Sequence, residues 1–308
     1  MTILTPCGGW SSVIIGESSS SRLLLWPLPV INLFESLMSP PIKLLLIDAM
    51  NLIRRIHAAV PGEGEAAIDA ALTTSGQIVG RLLNRFEPTH GVCAFDGSEK
   101  SWRHAEYPSY KAGRKPMPDT LKQSLERFHQ LFRYKGLLSL TYTDLEADDI
   151  LMTLATKTLN VGGEVVLVST DKGFAQLLAL QSNHLLLWDH FARQEIDNAF
   201  VERRFGVKAS QLGDYLALCG DTTNHIRGIE GIGAKTAAKL LAEYADLEAI
   251  FANLDSLPQK QSDKLAGRWD QVVQARRLVL LRSDLQLDCS LRDFRLGERI
   301  ADPVIKSS

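Results

Sequence analysis

The sequence predicts an α/β fold, a parallel sheet covered by helices and followed by a helical C-terminal subdomain, and three observations carry that prediction. "IKLLLID" (42–48), "HGVCAFD" (90–96) and "EVVLVSTD" (164–171) are apolar runs of strand length without alternation, as strands buried on both faces of a parallel sheet require. Segments of helical spacing lie over 64–86, 118–135 and 146–160, giving β-α-β alternation with right-handed crossovers. Beyond residue 197 the pattern turns all-helical, with segments at 197–205, 210–217, 234–243, 246–252 and a long piece near 262–282.

The bulk properties fit such a fold. With 308 residues, 45% of them hydrophobic and 23% charged, the chain can bury a sizeable core in one large or two modest domains. Cys7, Cys93, Cys219 and Cys289 are scattered, with neither zinc-ligand spacing nor disulfide density, and point to a reducing cytoplasm. A net charge of −2 and a pI near 6.4 exclude indiscriminate binding to polyanions, so any nucleic-acid contact has to come from local patches. Two such patches exist: Arg103, Lys111, Arg114 and Lys115 against Glu106, and Arg227, Lys235 and Lys239 against Glu230.

Three parts follow along the chain. Residues 1–41 hold a serine run and "LLLWPLPVINLF", too short and too broken by proline for a membrane span and without the basic flank of a secretory signal. They are expected to be a non-core extension, with Met38 a candidate alternative start. Residues 42–200 form the α/β body and 201–308 the helical subdomain.

Each strand run ends in an aspartate, Asp48, Asp96 or Asp171, and the carboxyl ends of parallel strands line the ligand crevice. "DLEADDILMTLA" adds Glu146 and Asp149 on one helical face at i, i+3, with Asp148 beside them. The helix dipole alone explains one or two acids in a first turn, but not three strand-end aspartates in addition. So many carboxylates converge at acceptable cost only around a divalent cation, and an all-oxygen donor set selects Mg²⁺ or Mn²⁺.

"GIEGIGAKTAAKLL" (228–241) packs glycines into a tight turn that opens directly onto a helix. The free amides of that helix start, with Lys235, Thr236 and Lys239, offer donors to a phosphate. A corner used only for helix packing is the alternative.

In order, "LLLIDAMNLIRR", "AFDGSEKSWRHAEYPSYKAGR", "LEADDILMTLA", "VSTDKGFAQLL" and "YLALCGDTTNHIRGIEGIGAKTAAKLL" resemble the 5′-nuclease family, the structure-specific flap endonucleases and the 5′-exonuclease domains of bacterial DNA polymerases. The resemblance spans roughly residues 42 to 290, and the short body is most similar to the bacterial exonuclease IX type. It implies a PIN-like α/β body with a helical arch over 98–118 and a C-terminal helix-three-turn-helix. It places Asp48, Asp96, Glu146, Asp148 and Asp149 around a first metal, and gives Lys111, Arg114 and Asp148 the catalytic roles. Arg103 and Tyr110 of the arch, with Tyr107 as a stacking candidate, would contact DNA, as would Gly231, Ile232, Gly233, Ala234, Lys235, Thr236 and Lys239 of the hairpin.

The family's second-metal pattern is reduced to Asp171 followed by Gly173, and to Asp221 followed by Asn224, so that ion should bind more weakly. The resemblance also implies a K⁺ held by the main-chain carbonyls of Leu218, Cys219, Arg227, Ile229 and Ile232. The implied protein is a monomeric, cytoplasmic, Mg²⁺-dependent 5′ flap endonuclease on branched DNA in replication or repair, with no membrane partner. The alternative is a junction-binding protein that kept the fold and lost its chemistry. A ribonuclease of PIN type is disfavoured because such domains usually lack the hairpin module.

Overall fold

The computed structural model describes residues 41–297 and 305–306, so the extension expected over 1–41 lies outside the described residues but for Pro41. From Pro41 onward the described chain is one compact unit.

β1 (Lys43–Asp48) runs directly into α1 (Ala49–Ala59), a helix the sequence reading did not single out. α2 (Gly64–Phe86) ends at a left-handed Glu87 and leads to β2 (His90–Phe95). α3 (Trp102–Glu106) is the helical part of segment 98–118. The helix expected over 118–135 is two, α4 (Asp119–Gln123) and α5 (Leu125–Tyr134), broken where Ser124 takes φ −95°, ψ 0°. β3 (Leu138–Tyr142), α6 (Ala147–Asn160) and β4 (Glu164–Val168) follow, then a 3₁₀ segment Lys172–Leu180, β5 (Leu185–Asp189) and β6 (Gln194–Glu195).

The helical part comprises α7 (Asn198–Phe205), α8 (Leu212–Cys219), α9 (Ala234–Glu243), α10 (Leu247–Ala252), α11 (Gln259–Leu265) and α12 (Trp269–Val279). The long piece expected near 262–282 is divided at Gly267, whose φ of +70° no helix accommodates. β7 (Ile305–Lys306) pairs with β3. Among the described residues no helix is long and apolar enough to cross a membrane.

The strands form one sheet in the order β6-β5-β4-β1-β2-β3-β7, parallel except for β6. Leu44 to Ile47 are all 0% exposed, which accounts for the unbroken apolar run: alternate side chains enter different cores. Leu44 and Leu46 join Ile150 and Leu151 of α6 and the C-terminal helices on one face. Leu45 and Ile47 join Ile53, Ile68 and Phe128 of α1, α2 and α5 on the other.

Chain order runs β1, β2, β3 outward on one side of β1 and then jumps to β4 on its other side. The crevice of such a sheet opens above the carboxyl ends of the two strands at that reversal, here β1 and β4.

Candidate active site

Asp48 ends β1 and caps α1, accepting from the Asn51 amide at 3.0 Å and from the Ser169 hydroxyl at 2.8 Å. Ser169, one residue past β4, also accepts from the Asp171 amide at 3.0 Å, so a single hydroxyl ties together the two strand ends at the reversal. Asp171 caps the 3₁₀ segment by accepting from the Gly173 amide at 2.7 Å. Asp96 follows β2 and accepts from the Ala147 amide at the start of α6 at 3.0 Å, and Asp148 lies in that same first turn.

These four aspartates line one cavity of about 220 Å³ together with Arg54, Arg55, Lys111 and Arg114. Burial pushes Asp48 up to about 7, with Asp96 and Asp171 adding to the rise against the bonds from Asn51 and Ser169. Burial, and then Asp171, Asp48 and Asp96, hold Asp148 well above the usual carboxylate range. Among the described residues no three acidic, histidine or cysteine groups are drawn close enough to hold an ion as they stand. What the cavity presents is four carboxylates, all oxygen donors, two of which, Asp48 and Asp148, are raised by burial and by their acidic neighbours, and this fits a hard divalent cation.

Two acids expected in the first-metal cluster are committed elsewhere. Asp149 is 0% exposed and accepts from Arg103 twice at 2.8 Å, from Trp102 Nε1 at 3.1 Å and from the Arg282 amide at 2.9 Å. Glu146 accepts from Lys111 Nζ at 2.6 Å and from Arg103; burial raises its carboxyl, but these two cations outweigh it and hold it below the usual range. The i, i+3 spacing put the two acids on one face correctly, and that face is turned toward Arg103 instead of the cavity.

Arg103 and Tyr110, expected as DNA contacts, border a cavity shared with Asp148 and Asp171 but have their polar groups engaged within the protein. Arg103 is 1% exposed and spends all five of its N–H groups inside the protein, on Glu146, on Asp149 and on the carbonyls of Leu278 and Leu280. Tyr110 is buried, its hydroxyl donating to Glu146 at 3.3 Å, and Tyr107 packs against the core.

Lys111 and Arg114 do reach the cavity. Lys111 sits at φ +54°, a strained position for a non-glycine residue, fixed by its amide donating to the Asn224 carbonyl at 2.9 Å. Its ammonium is raised above its ordinary value: burial lowers it, but Glu146, Asp96 and Asp148 outweigh that. Arg54 is lowered by burial and by the Arg114 charge beside it, so two guanidiniums face the same space. Asn51, Arg54, Arg55 and Ser169 were missed by the sequence reading; only Asn51, three residues after Asp48, carried a local signal, as the far end of a helix cap.

Asp221 lines a larger cavity of about 650 Å³ together with Asp148, Asp171 and Gly173. Its carboxylate holds its own loop, accepting from the Thr223 amide at 2.9 Å and the Asn224 side-chain amide at 2.8 Å.

In the hairpin, a Cβ on Gly228 would stand 2.3 Å from the Gly220 amide nitrogen and 2.4 Å from the Leu218 oxygen, so only glycine allows these backbones to cross. Gly231 takes φ +77° and its carbonyl accepts from Lys264 Nζ at 2.9 Å. Gly231, Gly233, Ala234, Lys235 and Lys239 are placed around the turn and the first turns of α9, with Thr236 among them, and Ile232 anchors the turn with a buried side chain. The Ile229 amide donates to Leu218 O and the Ile232 amide to Ile229 O, and Cys219 and Arg227 belong to the same backbone crossing.

Residues 43–206 match the family model "5'-3' exonuclease, N-terminal resolvase-like domain", and residues 207–302 match "5'-3' exonuclease, C-terminal SAM fold". The chain is 42% identical over 258 residues to flap endonuclease Xni of Pectobacterium carotovorum, covering 83% of this chain and 95% of that relative. Its fold is similar to that of the T5 5′-exonuclease bound to zinc, with a TM-score of 0.65 at 21% identity over 77% of this chain and 89% of the other. The flap endonuclease of bacteriophage T5, solved as a pseudo-enzyme-product complex with DNA and metal ions, gives a TM-score of 0.62 at 21% identity over 77% and 88%. Both domain models fit end to end along the chain that builds this cavity and hairpin, and the chain is therefore a nuclease of the 5′-3′ exonuclease family.

Proposed function

We propose that the protein is a Mg²⁺-dependent, structure-specific 5′ flap endonuclease acting on branched DNA in replication or repair. The observation that carries this reading is the convergence of Asp48, Asp96, Asp148 and Asp171 on one cavity that Arg54, Arg55, Lys111 and Arg114 also line.

Those four residues would hold the ion, with Asp221 beside the weaker second position that Asp171 shares. When bound, Mg²⁺ supplies countercharge for the phosphoryl oxygens and lowers the pKa of the attacking water. Lys111 and Arg114 orient the scissile phosphate and steady the charge that develops on its oxygens. Glu146 acts through Lys111, holding its ammonium at 2.6 Å, and is a positioning residue.

Gly231, Gly233 and the amides of Ala234 and Lys235, with the side chains of Lys235, Thr236 and Lys239, grip the downstream duplex by its phosphates and read no bases, so shape sets specificity; the Thr236 amide is taken by the Gly233 carbonyl at 3.0 Å. A K⁺ among the carbonyls of Leu218, Cys219, Arg227, Ile229 and Ile232 would add positive charge there. The protein acts as a cytoplasmic monomer.

A 5′-flap cleavage assay tests the reading. Wild-type protein with Mg²⁺ is expected to cut at the junction, and Asp148→Asn to abolish cutting while flap affinity stays within about twofold, since it removes a metal-holding group and no phosphate contact. Equal losses of binding and cleavage would overturn the assignment. Flap binding without cleavage by the wild type would favour the junction-binding alternative, which the Asn224 amide occupying Asp221 makes a specific rival.

A further inference from the structure

Asn51 lies in the first turn of α1, and its main-chain amide is the donor that Asp48 accepts at 3.0 Å. Its side chain reaches across to the residues that follow β4, where Oδ1 accepts from the Thr170 amide at 3.2 Å and from the Thr170 hydroxyl at 2.9 Å. A main-chain N–H can only donate, so the bond from Thr170 N fixes which end of the Asn51 amide is oxygen. Both acceptor positions of that oxygen are then taken.

The nitrogen Nδ2 is left. Among the described residues no group accepts from it, and it is not sealed from solvent. Asn51 lines the aspartate cavity with Asp48, Asp148, Asp171, Lys111 and Arg114. The cavity therefore holds a neutral group that can only donate, and its orientation is set by the two strand ends that carry Asp48 and Asp171.

What such a group can serve follows from its hydrogens. A metal ion needs a lone pair, and the oxygen that could supply one is engaged by Thr170. An attacking water has to surrender a proton, and a donor placed on it makes it a poorer nucleophile. A non-bridging phosphate oxygen is an anionic acceptor with lone pairs to spare, and bonds to it strengthen as charge develops. In a cavity lined by four carboxylates and four cations, a neutral donor adds a bond to phosphate without adding to either charge.

We propose that Asn51 Nδ2 donates to a non-bridging oxygen of the scissile phosphate, and that Thr170 is the positioning residue that holds it to that task. The proposal rests on the flap endonuclease reading and adds a third phosphate contact to Lys111 and Arg114.

Single-turnover cleavage of a 5′ flap in Mn²⁺ tests this on three substrates: one with the natural scissile phosphate, and the two phosphorothioate diastereomers, in which sulfur, a poor acceptor, replaces one or the other non-bridging oxygen. On the natural phosphate Asn51→Ala is expected to slow cleavage on the order of 10- to 100-fold, with flap affinity in the absence of divalent ions within about threefold of wild type. On the diastereomer whose sulfur stands where Asn51 donates, the same substitution should cost less than about threefold, and on the other its full amount. Asn51→Asp, which keeps both bonds from Thr170 and loses the donor, should be at least as slow as Asn51→Ala. Thr170→Val should slow cleavage less, and Thr170→Ser should restore it. A mere tie between β1 and β4 would slow all three substrates alike, so equal losses overturn the proposal, as does cleavage by Asn51→Asp at the wild-type rate. Wild-type protein that cuts no flap in Mg²⁺ or Mn²⁺ sinks the flap reading and the proposal with it, whereas wild-type cutting with either of those two outcomes sinks the proposal alone.

Discussion

Arg103 shows what a single buried cation decides. Its guanidinium joins α3, α6, the last turn of α12 and the residue that caps it through bonds to Glu146, Asp149, Leu278 O and Leu280 O. Replacing it with methionine would keep an apolar stem of similar length and leave Asp149, a 0%-exposed carboxylate, without its cation, with only the Trp102 and Arg282 N–H donors remaining. Loss of one member of such a pair costs about 3–5 kcal/mol. Arg103→Met is expected to lower the unfolding free energy by that order in urea titration. Double replacement with Asp149→Leu should recover part of the loss, which a purely DNA-binding arginine would not. A fully stable single variant with weakened DNA affinity would restore the arch arginine to the substrate.

At the scale of elements, the loop 221–226 explains how a reduced metal motif folds. The Asn224 side-chain amide donates to Asp221 and the Asn224 carbonyl accepts from the Lys111 amide, so one residue closes the loop and sets the strained lysine. Asn224→Asp would replace that donor with a second negative charge, and Gly173→Asp would add a Cβ 3.1 Å from the Asp171 oxygen. The double variant is expected to melt below wild type in EDTA and to gain more from Mg²⁺, with half-maximal cleavage at lower Mg²⁺. Identical Mg²⁺ titrations of melting and cleavage would show that no ion uses this position.

The same loop marks how far sequence reaches. Asp48, Asp96 and Asp171 were legible because the end of an apolar run is a local fact, and the reversal of strand order does the rest. Asp148 and Asp149 are adjacent, and which of them faces the cavity is settled by Arg103 and Arg282, which are remote in sequence. That Asn51 turns its oxygen to Thr170 is invisible along the chain because 119 residues separate the two. β3 and β5 escaped notice: "LSLTY" mixes hydroxyls into its run and "LLLWD" is too short to separate from helix.

At the scale of the whole molecule, DNA would meet a metal cavity in the body and a hairpin in the helical part, and these should fail separately. Exchanging K⁺ for a large, poorly coordinating cation at matched ionic strength is expected to weaken flap binding and leave single-turnover cleavage of bound substrate unchanged. Lys235→Ala should act on the same step, flattening the salt slope by about 1. Affinity that ignores the cation, with Lys235→Ala slowing only the chemical step, would remove the hairpin from the role of anchor.

The last turn of α12 and the segment that follows it have a consequence for the making of the protein. Leu278 O and Leu280 O accept from Arg103, Thr153 Oγ1 donates to Arg282 O, and Lys157 Nζ donates to Leu285 O, bonds that join positions 175, 177, 129 and 128 residues apart. Closing such long loops is slow and has to wait for both ends. On a ribosome, every aspartate of the cavity is synthesised well before Leu278, yet the bonds that Thr153 and Lys157 of α6 give to this segment form only after residues 282–285 have emerged. A chain cut short before that strap would carry its acids without these bonds to Arg103 and α6.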